Sequence, residues 1–154
     1  MGCDIHCYVE ARNGADWEIV PAPADDVESP CRYTIEGPRR STRNGPWRVY
    51  HYEPDRRYLA KWINIRDYEL FGWMAGVRRE VPNANVARGI PAQVSAEYAE
   101  DVDHYAGDGH SHSWLSVSEL ESREDCPSDL RDLAKEIRTY TGNREARIVF
   151  YFDN

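Results

Sequence analysis

The sequence MGCDIHCYVE (residues 1–10) alternates strictly between apolar and polar side chains from Cys3 onward. One face carries the small or apolar side chains Cys3, Ile5, Cys7 and Val9. The other face carries two carboxylates, an imidazole and a phenol, at Asp4, Glu10, His6 and Tyr8. A period of two is typical of a strand with one buried face. The pattern predicts a half-buried strand that organises the chain, with its polar face in the functional site.

The segments that follow predict an antiparallel sheet. Asn13-Gly14 separates the first strand from the extended run 17–20, which is a strong hairpin signal. The run 146–152 is apolar on both faces, as expected of a central strand. A further strand is predicted at 47–53, where aromatic and β-branched residues dominate. Prolines and turn pairs predict that 22–46 is a long loop.

Helices are indicated by capping residues that precede apolar runs. The predicted caps and helices are Asp67 before 68–75, Ser95 before 96–104, Ser116 with Glu119 opening a helix that runs to 123, and Ser128 before 129–140. Gly142 is expected to end the last of them. Together these elements predict an α+β fold in one domain, 1–154, with a mainly antiparallel sheet of about four or five strands. The amino- and carboxy-terminal strands lie in that sheet, and two or three helices cover it.

Composition favours a folded chain, since 41% of the residues are hydrophobic and 30% are charged. No apolar run is long enough to cross a bilayer, and the start lacks the basic and apolar regions of a secretory signal, so we expect a cytoplasmic protein without a membrane partner. Its four cysteines are then expected to be reduced. In one straight strand Cys3 and Cys7 lie roughly 13 Å apart, too far to bridge or to share a zinc ion, and small buried hydrophobes are the favoured interpretation.

Charge is unevenly distributed. The net charge is −8, yet residues 31–90 hold twelve Lys or Arg against six Asp or Glu, and seventeen of the nineteen basic residues are Arg. Arg makes bidentate contacts to phosphate and carboxylate, so a basic middle in an acidic chain predicts an anionic small molecule as ligand. Ordinary surface charge is the competing explanation. General nucleic-acid binding is not expected, because such domains usually carry an overall basic balance.

Two acid–histidine patches are candidates for chemistry. Asp4, His6 and Glu10 share one strand face, and Asp108, His110 and His112 repeat the spacing of two. Imidazole and carboxylate donors suit a divalent zinc, manganese or iron ion, for which Asp4, His6, His110 and His112 are the predicted ligands. Asp4, Glu10 and Asp108 are the predicted catalytic carboxylates. The alternatives are a hydrogen-bonded strand histidine at His6 and a surface loop with capping duties at His110 and His112.

A third patch would contact the ligand. Arg66, Arg78 and Arg88 are predicted to hold its anionic group, while Tyr68 and Trp114 are placed to stack on a base. Core packing is the competing explanation for the aromatic side chains.

Several segments together resemble one protein family. They are residues 1–6 (MGCDIH), 66–72 (RDYELFG), 88–91 (RGIP), 108–115 (DGHSHSWL) and 152–154 (FDN). In this order they resemble a family of small uncharacterised proteins encoded by bacteriophages. The likeness runs over most of the chain, apart from the segment 22–46. The resemblance implies expression in the cytoplasm of an infected bacterium. It also implies an accessory role, such as modifying nucleotides, binding host factors or inhibiting host defences.

Three hypotheses follow. The first is a phage accessory protein with a metal-assisted site that binds and hydrolyses a nucleotide-like phosphorylated small ligand, as a phosphoester or glycosidic hydrolase. The second is a non-catalytic counter-defence binder, expected to be a homo-oligomer, that sequesters a host signal nucleotide or masks a host protein. The third is a structural module in which the polar face merely stabilises the hairpin. The first requires the opening strand and the histidine segment, a hundred positions apart, to share a pocket.

Overall fold

The structure is a computed structural model that describes residues 2–23, 34–41, 45–51, 61–63 and 65–154. The chain divides into two compact units, one formed by 1–22 with 61–154 and the other by 23–60. The first unit holds the predicted sheet, and a single domain over the whole chain stays a prediction.

The sheet of the first unit has four strands. They are β1 (Asp4–Asn13), β2 (Asp16–Val20), β5 (His110–Ser116) and β6 (Ala146–Asp153). Their order is β2-β1-β6-β5, and every neighbouring pair is antiparallel. The first and last strands of the chain are thus the two central strands, which confirms the predicted α+β architecture. The turn at Gly14, with φ +62°, joins β1 to β2 as the Asn-Gly signal predicted.

Two faces of this sheet follow directly from the alternation in β1. Ile5 and Cys7 stand opposite Phe152 and Phe150 of β6, and these side chains belong to the buried core. The intervening residue His6 stands opposite Tyr151. Because successive side chains point to opposite faces, His6 and Tyr151 lie together on the second face. The predicted burial is confirmed for Cys3 and Cys7. These two cysteines and the buried Cys126 are free thiols, whereas Cys31 lies outside the described residues.

Helices cover both faces of the sheet. The apolar face is packed by α1 (Tyr68–Ala75), α3 (Val117–Ser122) and α4 (Ser128–Thr141). The second face is approached by α2 (Ala96–His104), whose Tyr98 side chain is fully buried. The described part of the chain therefore holds four helices, where two or three were predicted. None of them is long and apolar enough to span a bilayer.

Helix boundaries largely follow the capping signals. Asp67 Oδ1 accepts hydrogen bonds from the backbone nitrogens of Glu69 and Leu70, and Gly76 ends α1 in the left-handed conformation. The capping box of Ser116 and Glu119 is present at the start of α3. Ser128, in contrast, is the first residue of α4 rather than its cap. Pro127 takes the cap position there without a side-chain hydrogen bond.

The second unit contains a two-stranded antiparallel hairpin. Its strands are β3 (Thr34–Ser41) and β4 (Gly45–His51). The prediction of a loop over 22–46 is therefore wrong for 34–41 and 45–46, whereas 24–33 and 42–44 lie outside the described residues. The predicted strand at 47–53 is present over 47–51 and begins two residues early, and 52–53 are not among the described residues. The register shifts between Glu36 and Pro38. Such an irregularity tolerates a proline inside a strand, so Gly37-Pro38, one of the turn pairs on which the loop prediction rests, lies within β3.

Gly72 in α1 is expected to resist substitution. A Cβ atom at Gly72 would lie 2.4 Å from the backbone oxygen of Arg79. Alanine favours a helix over glycine by about 1 kcal/mol, but overpacking against backbone costs about 1–3 kcal/mol, so Gly72→Ala is expected to lower the free energy of unfolding. Gly107→Ala is the matched control, since a Cβ there meets nothing within 4 Å. Urea denaturation measures both. Equal stability of the two variants would contradict the expectation.

Candidate functional site

Polar and aromatic side chains from both ends of the chain meet on the second face of the sheet. His6 comes from β1, Tyr151 and Asp153 come from β6, and Asp101 and Tyr105 come from α2 and its C-terminal cap. These residues are called the His6 cluster below. The antiparallel register of β1 with β6 brings His6 opposite Tyr151 and Asp4 opposite Asp153. The cluster is therefore a direct consequence of pairing the first strand with the last.

His6 is the centre of this cluster and is only 2% exposed. Its Nε2 lies 2.9 Å from Asp153 Oδ2, while its Nδ1 lies 3.8 Å from Asp101 Oδ2. The imidazole stacks on Tyr151, with ring centroids 4.5 Å apart and planes inclined by 9°. The Tyr105 ring covers it at 4.4 Å. A carboxylate only accepts hydrogen bonds, so Nε2 carries the proton toward Asp153 and Nδ1 presents a lone pair.

Nδ1 of His6 has a further property that matters for function. It is buried and has no hydrogen-bond partner among the described residues. Most buried polar atoms are paired, and an unpaired one calls for an explanation such as a bound water, an ion or a catalytic role. One nitrogen held by a carboxylate and the other left open is the arrangement that a histidine needs to act as a general base.

Electrostatics keep His6 neutral. Burial lowers the pKa of the imidazole, and the nearby charge of Lys61 lowers it further, against the opposing effects of Asp153 and Asp101. Burial also lowers the pKa of the Lys61 ammonium, which lies within the field of the same two carboxylates. Burial and the hydrogen bond to Asp101 raise the pKa of Tyr151, so its hydroxyl remains a donor. The site thus combines a neutral base with a neutral phenol.

The stability of the protein should fall as the pH drops from 7 toward 5. Burial lowers the pKa of His6, and burial together with repulsion from His110 lowers that of His112, relative to 6.5 in the unfolded chain. Between the lowered values and 6.5 the unfolded state binds more protons, so the free energy of unfolding rises with pH through that window. Urea denaturation at pH 5.5, 6.5 and 7.5 measures the slope. A His6→Gln/His112→Gln variant should show a flatter profile, and an unchanged slope would contradict this origin.

Glu10, predicted to be catalytic, is placed in a buried ion pair. Its side chain is 0% exposed, and Oε2 accepts hydrogen bonds of 2.8 and 2.7 Å from Arg147 Nε and Nη2. Its Oε1 accepts from the backbone nitrogen of Ser95, the N-cap of α2, at 2.7 Å. Trp17 lies over the Arg147 guanidinium at 3.8 Å. The described contacts of Glu10 therefore anchor the start of α2.

Asp4 and Arg66 form an exposed pair beside the His6 cluster. Asp4 Oδ1 accepts from Arg66 Nε and Nη2 at 2.8 and 2.6 Å, and the Asp4 backbone nitrogen donates to Asp153 Oδ1 at 3.2 Å. Gly2 lies against this guanidinium, since a Cβ there would be 2.5 Å from Arg66 Nη1. Asp4 and Arg66 are thus connected to the cluster through Asp153, but the Arg66 fork is occupied by Asp4.

The histidine segment forms β5, and only part of it faces the cluster. The register with β6 shifts between His110 and Ser113, and Ser111 takes a left-handed φ of 52°. The His112 ring lies 5.1 Å from Tyr151, whereas the His110 ring lies 6.2 Å from Phe152, which belongs to the core face. The bulge therefore breaks the regular alternation that predicted both imidazoles on one face.

His6 and His112 flank the same Tyr151 ring from neighbouring strands. Because β1 and β5 lie on either side of β6, the two histidine backbones are roughly 9–10 Å apart, with the phenol between them. His112 of the histidine segment therefore lies on the same face as His6 of the opening strand, whereas the pocket that the first hypothesis requires stays a prediction. Within the part of the chain that the structure describes, however, no group of three or more His, Cys, Asp or Glu side chains is arranged to hold a metal ion.

Arg88 and Trp114 form a separate stack. Arg88 donates to both oxygens of Glu119, at 3.0 and 2.6 Å, and its guanidinium lies 4.8 Å from the Trp114 ring. The hydrogen bond from Arg88 lowers the pKa of Glu119 to about 2. The Arg88 backbone nitrogen also bonds Ser113 Oγ, which fixes this segment against β5. The Arg88 guanidinium is thus engaged in an ion pair with Glu119.

The remaining predicted residues are dispersed. Arg78 donates to the side chain of Asn154, and the Tyr68 hydroxyl accepts from the backbone nitrogen of Cys3 at 3.4 Å. Asp108 lies exposed in the turn after α2. Among the described contacts, none joins these three side chains to His6.

Sequence reasoning missed Asp101, Tyr151 and Asp153. A signal was present for two of them, because 146–153 alternates and Tyr151 and Asp153 share the face opposite Phe150 and Phe152. Asp101 carried no such signal, because the docking of α2 on the sheet determines which strand residues this side chain contacts.

Comparison of the chain with the models of known protein families, with curated proteins and with solved structures yields no match.

Proposed function

We propose that this chain is a hydrolase of a nucleotide-like phosphorylated small ligand, with His6 as the general base. The observation that supports it is the geometry of one imidazole, whose Nε2 is held by Asp153 at 2.9 Å while its buried Nδ1 has no partner among the described residues. A structural histidine usually satisfies both nitrogens, so the open Nδ1 favours a role in proton transfer.

The chemistry of such a site follows from the protonation states. Neutral His6 takes a proton from water at Nδ1, and the resulting hydroxide attacks the phosphorus or the anomeric carbon of the ligand. The imidazolium is stabilised by Asp153 on one side and Asp101 on the other, at 2.9 and 3.8 Å. The leaving group departs with the bond electrons and takes up a proton from the imidazolium, which restores neutral His6. Proton transfer of this kind contributes about 10²–10⁴ in rate.

Charges around the cluster set the ligand class in this proposal. Lys61 supplies a half-buried positive charge beside Asp101 and Asp153. Arg66 lies farther from His6 and is paired with Asp4. An anionic group that displaces Asp4 from Arg66 would gain a bidentate partner, and Lys61 would gain a counter-charge. A divalent zinc, manganese or iron ion would be the second way to activate the water. His6 Nδ1 and Asp101 Oδ2 would supply one nitrogen and one oxygen donor, fewer than the three protein donors usual for a catalytic zinc ion.

A second candidate is favoured by the burial of the cluster. Since His6 is 2% exposed, a ligand that reached it would be enclosed by α2 and the sheet. Enclosure suits a non-catalytic binder that sequesters a host signal nucleotide, in the phage setting that the sequence segments suggest. Such a protein would release its ligand unchanged.

One experiment separates these candidates. The purified protein is incubated with a panel of nucleotides, with and without added zinc or manganese, and ligand and products are identified by mass spectrometry. Metal content is measured on the same sample before and after chelation. Hydrolysed product that disappears in His6→Gln and persists in Lys135→Gln, which changes an exposed side chain on α4, supports the hydrolase. A nucleotide retained and recovered intact supports the binder, and neither binding nor turnover across the panel rejects both.

A further inference from the structure

Helix α2 lies between His6 and the surroundings of the protein. Tyr105, its C-terminal cap, covers the imidazole at 4.4 Å, and Asp101 faces His6 Nδ1 at 3.8 Å. Nδ1 itself has no exposed surface. A ligand can therefore reach this atom only after the covering groups have moved.

α2 is attached to the sheet by few apolar contacts. Of its nine residues only Tyr98 is buried, and none of the helix belongs to the hydrophobic core cluster. Its charged residues are mostly acidic, and Glu97, Glu100 and Asp103 are at least partly exposed. Segments with little buried apolar surface open at lower free-energy cost than the core does. Displacing α2 is therefore expected to cost less free energy than displacing a strand of this face.

The two ends of α2 are held differently. At its start, buried Glu10 accepts from the backbone nitrogen of Ser95 at 2.7 Å, and Arg147 donates to the backbone oxygen of Gln93. Further along, the Tyr151 hydroxyl donates to Asp101 Oδ2 at 2.6 Å and lies 3.5 Å from the Asp101 backbone oxygen, so it connects the later half of the helix to β6. Both bonds have a carboxyl oxygen as acceptor, but Glu10 and Ser95 are buried, whereas Asp101 is partly exposed to water, which competes for its oxygens. The first is therefore the stronger of the two.

We propose that α2 is a lid over His6, with the Glu10–Ser95 contact as its hinge and the Tyr151–Asp101 hydrogen bond as its latch. The lid deepens the proposed function, because it gives the ligand a route to the buried base. Closure over bound ligand would also exclude bulk water from the site, as loop and helix lids do in other hydrolytic enzymes.

Tyr151→Phe tests the latch, since it deletes the hydroxyl and keeps the ring that stacks on His6. Two readouts need no ligand: hydrogen exchange of the α2 backbone amides, and acylation of His6 by diethylpyrocarbonate followed by peptide mass spectrometry. Loss of one hydrogen bond is expected to raise both rates about fivefold, which corresponds to about 1 kcal/mol. Tyr140→Phe is the matched control, because Tyr140 is 52% exposed and lies on α4. It should leave both rates unchanged.

Asp101→Asn provides the second variant, with the other partner of the latch weakened. Faster exchange confined to α2 in both variants supports the lid. Unchanged rates in both, or faster exchange that extends equally through β1 and β6, would overturn it, because the bond would then be irrelevant or a determinant of the whole fold. If the exchange and acylation rates rise fivefold but the protein neither binds nor cleaves any nucleotide of the panel, the lid is supported and the hydrolase is rejected.

Discussion

Replacing Glu10 by Gln is expected to lower the free energy of unfolding by about 3–5 kcal/mol, the usual cost of removing one partner from a buried ion pair. Glu10 and Arg147 are 0% and 6% exposed, and two hydrogen bonds of 2.8 and 2.7 Å join them. Without the carboxylate, a buried guanidinium would be left without its counter-charge. The start of α2 would lose a charged acceptor for the backbone nitrogen of Ser95 as well.

Two controls make this expectation specific. The double variant Glu10→Gln/Arg147→Met removes both charges, and it should recover much of the loss because no uncompensated charge remains buried. Asp132→Asn weakens the exposed pair of Asp132 with Lys135, whose side chains are 71% and 76% exposed respectively, and should change stability by less than about 1 kcal/mol. Chemical denaturation measures all three. A loss below about 1 kcal/mol for Glu10→Gln would show that the pair contributes little.

Replacing His6 by Gln is expected to lower kcat/KM for the hydrolysed nucleotide by about 10²–10⁴, the contribution of a positioned general base. Glutamine keeps an amide donor for Asp153 but cannot take up a proton, so ligand affinity should change much less than turnover. Activity of the unaltered protein should rise with pH and level off near neutrality, because burial lowers the pKa of His6 from 6.5. Steady-state kinetics between pH 5 and 8 provide both readouts.

The control for this variant is Lys135→Gln, which changes an exposed side chain on α4, a helix that packs on the other face of the sheet. It should retain the kinetics of the unaltered protein. Asp153→Asn should lower kcat more than it raises KM, because the amide no longer stabilises the imidazolium. Full turnover in His6→Gln would remove His6 from the mechanism. A large loss of melting temperature in His6→Gln, in a protein without any bound ligand, would favour a structural role instead.

Much of the fold could be predicted because the signals are local. The alternation of β1, the Asn-Gly turn and the apolar run of β6 each depend on residues that are neighbours in the chain. The same holds for the caps at Asp67, Ser95 and Ser116. Strand β3, and with it the hairpin that it forms with the predicted β4, was missed because its Gly37-Pro38 pair resembles a turn marker, and a register shift accommodates this proline.

The candidate site could be predicted only in part. His6 was singled out by its place on the polar face, but its partners Asp101 and Asp153 are 95 and 147 positions away along the chain. Glu10 lies on the same polar face of the alternating pattern as His6, yet its carboxylate forms a buried ion pair with Arg147. Arg66, Arg78 and Arg88 looked like free anion contacts, and each has an acceptor within the chain.

Residue order alone was enough to establish an α+β chain with its first and last strands in one antiparallel sheet and a polar face that carries His6. Whether those polar side chains meet one another depended on strand order, on the bulge at Ser111 and on the docking of α2. The physical reason is the separation along the chain over which each kind of interaction acts. Periodicity and capping act within a few residues, whereas the pairing of a carboxylate with an imidazole or a guanidinium is decided by atoms a few ångströms apart in space and far apart in sequence.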